Sequence, residues 1–205
     1  MDKFTNHTGR TVLLESANVD TDQIIPKQFL KRIERTGYGE FLFNDWRFAA
    51  DGSPDPDFIL NDPRFAGSSI LITGPNFGCG SSREHAAWSL LDYGFRVVIA
   101  AGFAEIFYNN SLKNGLLPVV LDEADIRIIS ERTTSSPGYS LSVDLVKQEV
   151  SDRISFTAGF NIDPFRRHCL LQGLDDIALT LEHESKISAY ENRVPNTQSF
   201  DTIPA

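Results

Sequence analysis

"SILITGPNFGCGSSREHAAWSLLDYGFRVVIAAGFAEIFYNNSLKNGLLPVVL", residues 69–121, carries the pattern that sets the fold class. Three short aliphatic runs, at 69–73, 96–101 and 116–121, read as buried strands. Between them lie two segments of helical character. Ala86, Ala87, Leu90 and Leu91 share one face of a helix predicted over 82–93 and stopped by Gly94, and "AEIFYNNSLKN" predicts a second helix ended by Gly115. Strand, glycine turn, helix, strand, helix, strand is the order of a layered α/β unit with parallel pairing.

Upstream of this unit, "RTVLLE" (10–15) predicts another strand and "NVDTDQIIP" (18–26) a polar loop. Pro26 suits the first turn of a short helix through "KQFLKRI". Between Gly37 and Gly67 the character changes: Pro54, Pro56 and Pro63 alternate with Tyr38, Phe41, Phe43, Trp46, Phe48, Phe58 and Phe65. Proline and glycine forbid a long regular element there, yet the aromatics are too many for a solvated linker. Two readings of about residues 31–66 stay open: an irregular segment folded onto its own core, or a lid or docking surface for another protein. The mobile part of such a lid is expected within 31–40, which has few core-forming residues.

On the C-terminal side, "DEADIRIISERT" predicts a helix with acids in its first turn, and residues 139–159 read as strands joined by a charged turn. "DPFRRHCLLQG" has an Asp–Pro helix start and a glycine stop. Residues 174–193 predict one final helix, and those after about 193 a frayed tail. No repeat or linker cuts the chain, so a single domain over 1–205 is expected.

At 205 residues the chain should bury roughly 70% of its unfolded surface and needs no metal or disulfide staple. With 28 acidic and 19 basic residues the net charge is −9, which argues against nucleic acid and anionic membranes as partners. The start lacks an apolar leader and no run is long enough to span a bilayer, so a cytoplasmic location is expected. The two cysteines, Cys79 and Cys169, read as free thiols. They are too few to hold an iron–sulfur cluster alone, which takes about three or four cysteine ligands.

Chemistry concentrates in "NFGCGSSREHA", residues 76–86. One reading is structural: a tight turn, Ser81 as N-cap, and Glu84 three residues on completing a capping box. A second is an anion site at the helix start. The phosphate-loop lysine is missing, however, and so is the third glycine of a dinucleotide fingerprint. The third is catalysis on a carboxylate substrate, with Arg83 forming a bidentate pair and Ser81 ionising in the positive field beside it. His85 and Glu84 could titrate as well. Spacing alone leaves all three open.

The ordered blocks "NVDTDQIIPKQFL", "FNDWRF", "FGCGSSREHA", "FAEIFYNNSLKNGLLPV" and "DPFRRHCLLQGLDDIALTL" resemble the small subunits of bacterial 3-isopropylmalate dehydratase. The resemblance runs from about His7 to Tyr190. It implies the swivelling β/β/α domain of the aconitase superfamily, a layered sheet with flanking helices. It also implies the isomerisation of 2-isopropylmalate to 3-isopropylmalate by dehydration and rehydration, in leucine biosynthesis. The resemblance places a [4Fe-4S] cluster on a separate large subunit, with none in this chain. Ser81 matches the serine that takes the carbon-bound proton and Arg83 the arginine that grips a substrate carboxylate, with Ser82 beside them. Arg32 and Arg35 are candidates for substrate specificity.

Two other readings are carried alongside: a related hydro-lyase subunit for citraconate or another methylated diacid, and a non-catalytic anion-binding scaffold that self-associates. Asp20 and Asp22 read either as loop caps or as substrate-side carboxylates. Cys79 reads as a small buried residue, and His168 with Arg166 and Arg167 as a solvated or subunit-facing surface.

Overall fold

The computed structural model describes residues 1–31 and 36–193. Arg32, Arg35 and the tail after 193 lie outside the described residues, and the expected mobile stretch 31–40 lies partly so. The chain runs through β1 (Asn6–Leu14), α1 (Thr21–Ile24), α2 (Asn44–Arg47), β2 (Ile70–Thr73), α3 (His85–Tyr93), β3 (Val97–Ala100), α4 (Glu105–Asn114) and β4 (Leu117–Val120). It continues through α5 (Glu123–Ser135), β5 (Ser140–Asp144), β6 (Glu149–Ser151), β7 (Thr157–Gly159), α6 (Pro164–Gln172), α7 (Asp176–Leu181) and α8 (Glu184–Arg193).

The strands form one sheet in the order β4-β3-β2-β1-β5-β6-β7. β1 to β4 pair in parallel, and β1, β5, β6 and β7 pair antiparallel. Composition explains the division. "ILIT" and "VVIA" are buried at every position, as strands covered on both faces must be, whereas β5 alternates buried and half-buried residues. Successive side chains point to opposite faces, so Ile70, Ile72, Val97 and Ile99 enter one core with Ile129 of α5 and Leu170 of α6. Leu71 and Val98 enter the other, with Ala86, Ala87 and Leu90 of α3.

That second core also takes up much of the aromatic segment. Tyr38, Leu42 and Phe43 are fully buried in it, and Leu60 and Phe65 nearly so. Only short helical turns form there, at Gly39–Phe41, Asn44–Arg47, Ile59–Asn61 and Pro63–Phe65.

Three local expectations are corrected. The predicted polar loop contains α1, followed by a 3₁₀ turn at Lys27–Lys31. The single last helix is two, α7 and α8. Finally, α3 starts at His85 with Glu84 as N-cap, so Ser81 is not the cap and Arg83 precedes the helix.

Candidate active site

The site is built where β1 and β2 hand over to their loops, at the C-terminal edge of the parallel strands, the usual crevice for ligands in open α/β sheets. The two loops run side by side. Gly78 N–H donates to the Val19 carbonyl at 2.8 Å, Thr21 N–H to the Cys79 carbonyl at 2.8 Å, and Asn18 N–H to the Pro75 carbonyl at 2.9 Å. The loop after β3 closes the far side, with Phe77 N–H on the Gly102 carbonyl and Phe77 edge-on to Phe107 at 5.2 Å.

Two glycines let the second loop lie this close. Gly78 and Gly80 have φ of 77° and 89°, and a Cβ at Gly78 would strike the Phe107 ring, one at Gly80 the Asp20 carboxylate. The capping box foreseen on Ser81 exists instead in α1. Asp20 accepts from Asp22 N–H, and the Gln23 side chain accepts from Asp20 N–H at 2.7 Å. Asp20 is therefore engaged as a cap.

Ser81 is pinned by its backbone. Its N–H donates to Thr21 Oγ1 at 3.1 Å, and the same hydroxyl donates to the Ser81 carbonyl at 3.2 Å. Thr21 thus holds both backbone groups of Ser81, and α3 begins four residues later, at His85. The Ser81 residue itself is exposed. Ser82 is exposed too, its carbonyl held by Asn110 Nδ2 of α4 at 3.3 Å. Glu84 accepts from Asn114 Nδ2 at 2.7 Å, which steadies the start of α3.

Arg83 is 14% exposed and donates through Nη1 to Asp22 Oδ1, while Lys27 Nζ lies 3.3 Å from Asp22 Oδ2. The Arg83 hydrogen bond is the chief reason the Asp22 carboxyl is held below its ordinary pKa, and Lys27 acts the same way. A guanidinium carries five N–H donors in a planar fork, and a single nitrogen of this one serves Asp22. Among the described residues the other nitrogens of the fork make no hydrogen bond.

Next along, the His85 ring packs 5.2 Å from Tyr38 and 4.7 Å from Trp88. Burial lowers its pKa, as does Arg83, against the opposing pull of Glu84.

Ser81, Ser82, Arg83, Asp20 and Asp22 thus come together. Sequence reading missed Thr21, Lys27, Asn110 and Asn114. Thr21 stood between the two aspartates already singled out, and Lys27 one turn beyond them. The two asparagines carry no signal until α4 is laid against α3.

No group of three or more His, Cys, Asp or Glu among the described residues could hold a metal ion. Cys79 is half-buried, with Sγ donating to the Asn18 carbonyl at 3.2 Å, and Cys169 is buried, its thiol pKa raised by desolvation. This donor set does not fit an iron–sulfur cluster.

Residues 1–124 match the family model of the aconitase C-terminal domain. Residues 176–198 match the model for the C-terminal domain of the 3-isopropylmalate dehydratase small subunit. The chain is 56% identical over 193 residues to the 3-isopropylmalate dehydratase small subunit of Brevibacillus brevis, covering 94% of this chain and 100% of that one. It is 57% identical over 193 residues to the Geobacillus kaustophilus protein of the same name, covering 94% and 98%. Among solved structures, a 3-isopropylmalate dehydratase of Methanocaldococcus jannaschii superposes with a TM-score of 0.65 at 26% identity. That match covers 91% of this chain and 99% of the other.

Proposed function

The chain belongs to the family of 3-isopropylmalate dehydratase small subunits, within the aconitase C-terminal-domain superfamily, and on that footing we propose how it works as part of a hydro-lyase. The reaction is the isomerisation of 2-isopropylmalate to 3-isopropylmalate by loss and re-addition of water, a step of leucine biosynthesis. The active enzyme is a pair, with a large subunit as partner. That subunit holds the [4Fe-4S] cluster, which supplies Lewis-acid chemistry at the departing hydroxyl. We assign the pair to the cytoplasm; no described helix here is long and apolar enough to cross a membrane.

The observation that carries the reading is the pairing of an exposed Ser81 with an Arg83 whose fork is only partly used. Arg83 grips one substrate carboxylate in its plane and thereby sets the substrate carbon against Ser81 Oγ. Ser81 accepts the carbon-bound proton as water leaves, then returns a proton to the neighbouring carbon when water re-adds. The arginine charge and the backbone N–H groups of the loop lower the cost of charge on that hydroxyl. Thr21 and Gly80 fix where the hydroxyl stands. Ser82, next to both, lines the same substrate region.

Charge count says why a partner is needed. Arg83 and Lys27 both pair with Asp22, and the Asp20 carboxylate stands in the same loop, so these four residues together offer no net positive charge to a dianionic substrate. Additional cations must come from elsewhere, and we assign that part to Arg32, Arg35 and the partner. The aromatic segment around residues 31–66 is the lip against which the partner closes.

The test is reconstitution. Either subunit alone should leave 2-isopropylmalate unchanged, and mixing the two, with the partner's cluster intact, should give 3-isopropylmalate. Turnover by this chain alone would rule the split site out.

A further inference from the structure

The C-terminal end of β1 forms one wall of a second cleft, of about 590 Å³. Its floor is Trp46 and Phe58, half-buried rings that lean on Phe43 at centroid distances of 5.7 and 6.0 Å. Around the mouth stand Glu15, Asp45, Asp55 and Asp57. None of these carboxylates pairs with a cation among the described residues, whereas Asp22, Asp62 and Asp152 all do. Arg47, adjacent to Trp46, is turned away, stacked over Phe48 and Tyr93 and donating to the Leu42 carbonyl at 3.2 Å.

An acidic rim alone is a solvated face; an aromatic floor inside it calls for an occupant that is apolar along its length and positive at its end. Place narrows the choice. Ser16, in the wall of the cleft, accepts from Gly74 N–H at 3.1 Å, at the root of the Ser81 loop. Thr21, which holds Ser81, lies five positions further along the chain, so it and Ser16 are at most about 18 Å apart. A standard interface of about 800 Å² per partner is on the order of 30 Å across. The cleft is thus a neighbour of the Ser81 edge, within reach of a partner seated there.

We propose that the cleft receives a basic side chain, arginine or lysine, from the large subunit. Its methylene stem lies on Trp46 and Phe58, and its charge sits over the indole among the carboxylates. The inference rests on the two-chain reading above.

The test titrates purified large subunit against the full chain and reads Kd at low and at raised salt. The charge variant is Glu15→Gln/Asp45→Asn/Asp57→Asn, all exposed positions. Asp55 is kept because its carboxylate accepts from Asp57 N–H. The second variant, Trp46→Leu, keeps apolar bulk but loses the indole face. The charge variant should bind roughly tenfold or more weakly, with a gap that narrows as salt rises and with an unchanged melting curve. Trp46→Leu should weaken binding about threefold or more with little salt dependence. A charge variant that binds like the parent would overturn the proposal. So would a variant whose self-association changes in sedimentation while its affinity for the large subunit does not, since the occupant would then be a second copy. If the parent chain itself fails to bind the large subunit, the two-chain reading falls and the cleft's partner with it.

Discussion

Thr21 uses one hydroxyl twice, accepting from Ser81 N–H and donating to the Ser81 carbonyl, and so fixes the backbone of an exposed serine two residues before Arg83. Arg83 matters for its shape as much as for its charge. Arg83→Lys keeps the charge but loses the planar fork, so KM for 2-isopropylmalate should rise about tenfold or more. An unchanged KM would take Arg83 off the substrate carboxylate. Asp22 pairs with Arg83, and its proposed part is to position that guanidinium. Asp22→Asn should raise KM by about tenfold with a smaller effect on kcat, because the guanidinium loses its tether. A fall in kcat with KM unchanged would contradict that positioning role. The Asp22 carboxyl titrates below its ordinary value in the folded chain, chiefly through the Arg83 hydrogen bond. Its pairing therefore stabilises the fold above the unfolded pKa of about 4 and is lost as pH falls through the lower, folded value.

Among the elements, those carried by local pattern were legible in the sequence. β2, β3 and β4 are short apolar runs, and Gly94 and Gly115 end α3 and α4. What escaped was decided across the chain. The N-cap of α3 is Glu84 rather than Ser81, whose backbone is held instead by Thr21, 60 residues earlier. The turn between β6 and β7 is a second such case. Asp152 has a fully buried side chain that accepts from Ile154, Ser155 and Phe156 N–H at 2.9–3.0 Å, from Tyr139 Oη at 3.1 Å and from Arg132. Burial alone would raise its pKa. The hydrogen bonds, led by Phe156 N–H, win and hold it far below the ordinary carboxylate range, while burial pushes Tyr139 up to about 12. Stability from Asp152 is thus complete above about pH 4 and drains away as pH drops further. Asp152→Asn should cost about 2–4 kcal/mol at neutral pH and flatten the fall of Tm on acidification. An unchanged acid limb in thermal melts would show that the turn does not depend on the charge.

For the whole molecule, the sheet puts three loops at one edge, and the chain presents there the residues proposed as base and anion grip but no metal-binding cluster among the described residues. The cysteine count limited what this chain could hold, and the split of the site between two chains came from the family resemblance alone. The tether between Asp22 and Arg83, and the acid-rimmed cleft by Trp46, became visible only with the backbone in place, because they join loops distant in sequence. Everything assigned to this edge depends on Ser81 being the group that moves the proton. Its sharpest test is the turnover of 2-isopropylmalate by the reconstituted pair carrying Ser81→Ala, measured beside the affinity of the two chains for each other. If Ser81 is the base, kcat falls by roughly a hundredfold or more while the affinity stays unchanged. Near-normal turnover by that pair would mean that another group moves the proton.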